Sequence, residues 1–144
     1  MSIAFLGLYL INLINPAQEI SSDDILGVWL TDDKESQIEI YKKNNLYFGK
    51  VIWMLEPNNE DGTPKTDINN PKKPLQSREI IGLNIIENFS FNGDEWTDGE
   101  IYDPNNGKTY SCVMKLEGDQ LEVRGYVGIS LFGRTVVWTR VNSN

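Results

Sequence analysis

From about residue 25 onward, apolar and polar positions alternate with a period of two, and turn-forming residues cut the alternation into short segments. Ile25 to Thr31 predicts a first strand, ended by the charged run Asp32 to Glu35. Gln37 to Lys43 sets Ile38 and Ile40 against Glu39 and Tyr41, the signature of a strand with one buried face. Asn44-Asn45 tolerates the left-handed backbone that a two-residue hairpin needs, so Leu46 to Glu56 should return antiparallel.

Pro57 to Pro74 breaks the pattern. Its four prolines remove backbone donors and hold their predecessors extended, which predicts a long loop. Loops of this length in a compact domain are usually functional or mobile. Leu75 to Gly82 leaves a helical turn and a strand both open.

The alternation then resumes. Leu83 to Phe91 and Asp94 to Asp103 flank Asn92-Gly93, a strong hairpin signal. Pro104 to Gly107 is a turn, and Lys108 to Glu117 is followed through Gly118-Asp119 by Gln120 to Gly128. After a small loop, Ile129 to Gly133, the last segment is Arg134 to Val141.

The result is eight strands with no amphipathic helix between them. An open meander of that length would leave two edges unpaired, whereas closure removes both. The predicted fold is therefore all-β: an eight-stranded antiparallel up-and-down barrel, with room for about one small ligand. Residues 21–144 form its single domain, because neither an internal repeat nor a low-complexity tract marks a second one.

The amino-terminal segment is different. Ile3 to Ile14 is continuously apolar but shorter than the roughly 20 residues of a membrane helix, so no integral span is expected. It reads as a signal-peptide core, although no Lys or Arg precedes it and Asn15-Pro16-Ala17 fits the cleavage pattern poorly. Residues 1–20 are therefore assigned to a signal peptide or disordered leader, which implies a periplasmic or secreted protein.

Charge and residue types narrow the chemistry. Twenty-one acidic against thirteen basic residues give a net charge of -8, which disfavours nucleic acid as a partner. The chain has no histidine, which excludes His-dependent triads and His-ligated zinc. Cys112 is the single cysteine, so no internal disulfide forms, and a small strand residue is the simplest account of it. Asp61, Asp67 and Asn69 lack the spacing of a calcium loop, so neither a metal nor a cofactor is expected.

Gly27-Val28-Trp29 on the first strand and Arg140 on the last resemble the pairing of calycin barrels, the superfamily of lipocalins, fatty-acid-binding proteins and avidins. There the arginine lies over the tryptophan and joins the first strand to the last, and Trp138 has the parity to belong to the same cluster. Trp29 as an ordinary core aromatic is the competing reading. A closer resemblance runs through Tyr47 to Trp53, Asp61 to Pro64, Asn70-Pro71, Ile81 to Leu83, Gly99 to Pro104, Gly107 to Cys112, Arg124 to Gly128 and Ser130 to Thr135. These motifs, in this order, are similar to the bacterial family called domain of unknown function 2147. That resemblance implies a lipocalin-like barrel in an exported protein, without established catalytic residues.

Glu100, Tyr102, Tyr110, Arg124 and Tyr126 lie on neighbouring strands and are candidates for a polar and aromatic ligand-binding lining. The alternative is that Glu122 and Arg124 alternate outward against Leu121, Val123 and Val127. Trp53 shares a face with Tyr47, Val51 and Leu55, in a core or a cavity wall. Arg134, with Ser130 and Phe132, either sits at the barrel mouth or terminates a strand. Glu95, Asp98, Glu100 and Asp103 supply carboxylates for glycosidase-like chemistry, a hydrolase reading that ranks behind the others because it needs two at a set separation. The leading expectation is an exported protein that binds a small apolar molecule or lipid. The alternative is an envelope scaffold with a filled barrel that meets a protein partner through the 57–74 loop.

Overall fold

A computed structural model describes residues 7, 19–129, 131 and 133–142. The signal-peptide reading of residues 1–20 lies almost wholly outside them. Among the described residues, eight strands run in sequence: β1 (Gly27–Leu30), β2 (Ser36–Lys43), β3 (Leu46–Met54), β4 (Asn84–Phe91), β5 (Trp96–Asp103), β6 (Lys108–Glu117), β7 (Gln120–Tyr126) and β8 (Arg134–Arg140). Each pairs antiparallel with the next, and β8 returns to β1 through Trp29 opposite Arg140 and Leu30 opposite Thr139, which closes the barrel.

The turns hold register through local chemistry. Asn44 and Asn45 take φ of 51° and 62°, which gives β2–β3 its two-residue turn. At β4–β5 the backbone N–H of Asn92 donates to Glu95 O, so Gly93-Asp94, not Asn92-Gly93, occupies the corners. The first strand starts at Gly27 because Ser22–Ile25 forms a 3-10 turn beneath it. The open question over Leu75 to Gly82 resolves into neither a helix nor a strand: Leu75 ends the 3-10 turn Lys73–Leu75, and Glu79 makes an isolated bridge to Thr66.

One end of the barrel is packed solid. Trp29, Tyr47, Phe89, Trp96, Met114 and Leu121 are all buried there, and Ile25 of the 3-10 turn plugs the base. Indole N–H groups tie the plug in place, Trp29 Nε1 donating to Ile25 O (2.9 Å) and Trp96 Nε1 to Ser22 O (3.2 Å). The Tyr47 hydroxyl donates to Asp23 Oδ1, which also accepts from Lys42, and these two donors hold the Asp23 carboxyl below its usual range. Gly99 is required here, because a Cβ at that position would lie 2.2 Å from the Phe89 ring.

The closure residues meet as a clasp. The Arg140 guanidinium lies 4.3 Å from the centre of the Trp29 ring, while Nη1 donates to Leu26 O (2.9 Å) and Nη2 to Asp24 O (2.6 Å). Gly27 has φ of +126°, and its missing side chain leaves space for the Arg140 fork, whose Nη1 would stand 3.2 Å from a Cβ. One side chain thus grips the 3-10 turn and its exit by their carbonyls and the first strand by its indole.

Candidate ligand cavity

The opposite end of the barrel is hollow. A cavity of about 450 Å³ opens there, walled by Ile38, Val51, Met54, Ile80, Ile85, Ile101, Tyr110, Val123, Val136 and Trp138. Strand alternation builds this wall: Val123 pairs with Val136, Leu121 with Trp138 and Ile101 with Tyr110, and directly opposed residues of an antiparallel pair share a face. Gly125 opposite Arg134 leaves the β7–β8 side of the mouth without bulk, and the Arg134 side chain stands at the rim. Asp32, Asp33 and Asp103 complete that rim.

The rim carboxylates are locally organised. Asp33 Oδ1 accepts from Thr31 Oγ1 (2.7 Å) and the Glu35 backbone N–H (2.9 Å), and Asp103 Oδ1 accepts from the Asn105 N–H (2.9 Å). Asn106 Nδ2 donates to the Tyr110 hydroxyl (2.9 Å), which orients a phenol whose ring belongs to the cavity wall. Apolar walls under a charged rim suit a molecule with an apolar body and a polar end at the mouth.

Of the six proposed lining residues, Tyr102 and Tyr110 line the cavity. Trp53 faces outward and is 38% exposed. Its parity is inverted by a β-bulge: Ile38 pairs with Val51 but Gln37 with Trp53, so Ile52 is the extra residue and Met54 takes the inward place. Glu100 pairs with Ser111, and Ser111 with Tyr126, which puts all three on the outer wall, as does the pairing of Arg124 with Val113. The Arg124 Nη1 donates to Thr135 Oγ1 (2.8 Å) on that outer face. Gly99 and Ile101 take the inward positions that flank Glu100.

Tyr102, opposite Thr109 on β6, borders the cavity and also serves the long loop. Its hydroxyl donates to Asp67 Oδ1 (2.6 Å), and Asp67, 0% exposed, also accepts Nε and Nη2 of Arg78 (both 2.9 Å) and Nδ2 of Asn70 (2.9 Å) on Oδ2. Desolvation first, and the Asp67 hydrogen bond second, push the Tyr102 phenol up to about 12. Asn69 Nδ2 donates to the carbonyls of Pro104 and Asn105 (3.1 Å each), so the loop is also strapped to a turn at the mouth. The segment 57–83 is therefore fastened to the barrel wall, and it delivers Ile80 into the cavity.

Trp138, a candidate for the cluster of Trp29 and Arg140, is buried in the same core as Trp29 and lines the cavity. The carboxylates considered for hydrolysis are dispersed: Asp98 lies on the outer face near Ser90 and Thr97, Glu100 in an outer groove and Asp103 at the mouth. Cys112 is buried on the inward face of β6, opposite Gly125, where desolvation raises its thiol to about 12. Ser130 and Phe132 lie outside the described residues. The period-two alternation of β2, β3, β7 and β8 is the sequence signal that could have found Ile38, Val51, Val123 and Val136. Ile80, coming from an irregular segment, carried no such signal.

A family model described as an uncharacterized protein conserved in bacteria, DUF2147, matches residues 27–140. The chain belongs to this family. Those residues run from the glycine beneath the Arg140 fork to Arg140 itself, so the family unit coincides with the closed barrel of this DUF2147 protein. A solved structure similar in fold is that of protein HP1028 from Helicobacter pylori, described as belonging to the lipocalin family. It matches with a TM-score of 0.72 and 23% identity over 83% of this chain and 84% of that one. No curated protein matches this DUF2147 chain in sequence. Among the described residues, no helix is long and apolar enough to cross a membrane.

Proposed function

We propose that this protein is an exported binding protein that encloses a small, mostly apolar molecule in the open half of its barrel. The observation that carries this reading is the apolar cavity of about 450 Å³ beneath a charged rim. Burial of an apolar body against Ile38, Val51, Val123 and Trp138 supplies the driving force, and the rim holds a polar end at the water boundary. Export is supported by the apolar Ile3 to Ile14 stretch, and a periplasmic or secreted form would begin near Ser21.

The test is extraction of natively purified protein into organic solvent with mass spectrometry of the extract, alongside titration with the neutral apolar probe N-phenyl-1-naphthylamine. A co-purifying molecule, or saturable probe binding that changes Trp138 emission, is the expected result. An empty extract together with absent probe binding overturns the reading. Intact mass of the protein from fractionated cells tests export separately, by showing whether the leader has been removed.

A further inference from the structure

We infer that the β7–β8 loop is a membrane-docking lip, in which Val127, Ile129 and Leu131 enter the interfacial layer of a phospholipid bilayer and bring the cavity mouth to its surface. These three side chains are 72%, 58% and 75% exposed, and they fall within five residues of one another at the open end of the barrel. The tight turns β2–β3, β4–β5, β5–β6 and β6–β7 use Asn, Asp, Gly and Pro at their corners, as water-facing turns do. From Val127 to Gly133 the chain instead holds no charge at all. Clustered exposed apolar side chains of this kind mark an interaction surface.

Charge identifies the occupant as a bilayer. The protein carries a net charge of -8, yet from Val123 to Val137 there are two arginines and neither an aspartate nor a glutamate. Arg124 and Arg134 stand at the two feet of the loop, with Tyr126 beside them. Apolar tips flanked by guanidinium groups and an interfacial aromatic match the layering of a phospholipid surface, with acyl chains below and phosphates above. The carboxylates of Asp32, Asp33 and Asp103 on the neighbouring turns oppose deeper entry, so the loop docks as a lip and the barrel end stays in water. A second copy of this chain is the poorer occupant, because three tip residues offer far less than the roughly 800 Å² per partner of a stable dimer.

The position of the loop gives docking a use, and this step rests on the ligand reading above. Gly125 and Arg134, immediately before and after the loop, line the mouth. An apolar molecule leaving the bilayer beside the lip would enter the cavity without crossing bulk water.

The experiment is flotation of the mature protein with large vesicles of phosphatidylcholine alone and of phosphatidylcholine with 30% phosphatidylglycerol, comparing wild type with the triple variant V127S/I129S/L131S. Wild type should float with both, more with the anionic mixture, and the triple variant should lose at least tenfold in partitioning while its circular dichroism and urea midpoint stay unchanged. Wild type that fails to float, or a triple variant that floats equally well, overturns the proposal. A wild-type dimer that the triple variant abolishes, without vesicle binding, would reassign the loop to self-association and overturn it as well. Gly125→Leu should float like wild type while binding less probe, which separates failure of the lip from failure of the cavity reading.

Discussion

Filling the mouth of the cavity should separate binding from stability, and Gly125 is the residue with which to do it. Its backbone is ordinary extended strand, and a Cβ there would stand 3.5 Å from Tyr110 Cβ and 3.8 Å from Ile101 Cγ2, both normal contacts. Replacing a glycine whose conformation suits other residues stabilises by about 0.4–1 kcal/mol through the unfolded chain. A leucine side chain resting on Ile101 and Val136 adds about 1 kcal/mol of burial, less whatever repacking Tyr110 requires. Gly125→Leu should therefore raise stability by about 1 kcal/mol, or about 3 °C in Tm for a chain of this size. The same side chain takes up the space through which a ligand enters, so affinity for N-phenyl-1-naphthylamine should fall at least tenfold, equivalent to about 1.4 kcal/mol. Thermal unfolding by circular dichroism and probe fluorescence measure the two quantities on one sample. Unchanged probe affinity in a more stable Gly125→Leu protein would refute the assignment of this mouth as the entrance. A loss of several kcal/mol in stability would refute the contact geometry from which the gain was worked.

Three further outcomes follow from the clasp, the strap and the buried thiol. Arg140→Ala removes the contact over Trp29 and the donors to Leu26 O and Asp24 O, and should cost about 3 kcal/mol in urea unfolding; Arg140→Lys, which keeps charge but not the planar fork, should recover less than half. Asp67→Ala should release the 57–83 segment from Tyr102 and break its internal pair with Arg78, costing about 3 kcal/mol for the broken buried pair and speeding tryptic cleavage at Lys65 and Lys72 at least tenfold. Stability should decline as pH rises from about 9 toward 12, because the unfolded chain ionises Cys112 and Tyr102 near their ordinary 9.0 and 10.0 while the folded chain holds both protons to about 12. For Cys112 alone this amounts to at most about 4 kcal/mol, and Cys112→Ala should flatten the decline in urea midpoints measured across that range.

The barrel was legible in the sequence because its evidence is local and repeated. Period-two alternation, Asn44-Asn45 and the Gly118-Asp119 turn each specify a hairpin with their nearest neighbour, and eight such segments in a row leave closure as the way to pair both edges. The pair Gly27-Val28-Trp29 and Arg140 is non-local, yet it was visible because each half has an unusual composition. Inside and outside were harder to read. Alternation assigns faces only relative to one another, and one inserted residue reverses the assignment for everything beyond it. Ile52 is that residue in β3, and it turned Trp53 outward and Met54 inward. In β5 the bulge at Asp98, with φ of 63°, sits beside the Gly99 that Phe89 demands, and neither departs from an acceptable strand sequence.

The same reasoning explains why the polar residues misled. Glu100, Arg124 and Tyr126 looked like a lining because polar side chains on strands invite a chemical use, but in this barrel they serve the outer wall, while Tyr102 borders the cavity and fastens the long loop through Asp67. The cavity is made by what is missing. Aromatic and large aliphatic side chains fill the end closed by Trp29 and Trp96, whereas on the β7–β8 side of the cavity the inward positions narrow to Val123, Gly125 and Val136, facing larger wall residues such as Ile38, Ile85 and Ile101. Packing density in protein interiors leaves few voids, so a run of small inward residues at one end of an otherwise filled barrel is a feature the strands were not forced to have. A barrel that served only as a scaffold would gain stability by enlarging Gly125 and Val123. That the chain forgoes this at the one end that also carries an apolar loop argues that the hollow and the lip belong to the same task.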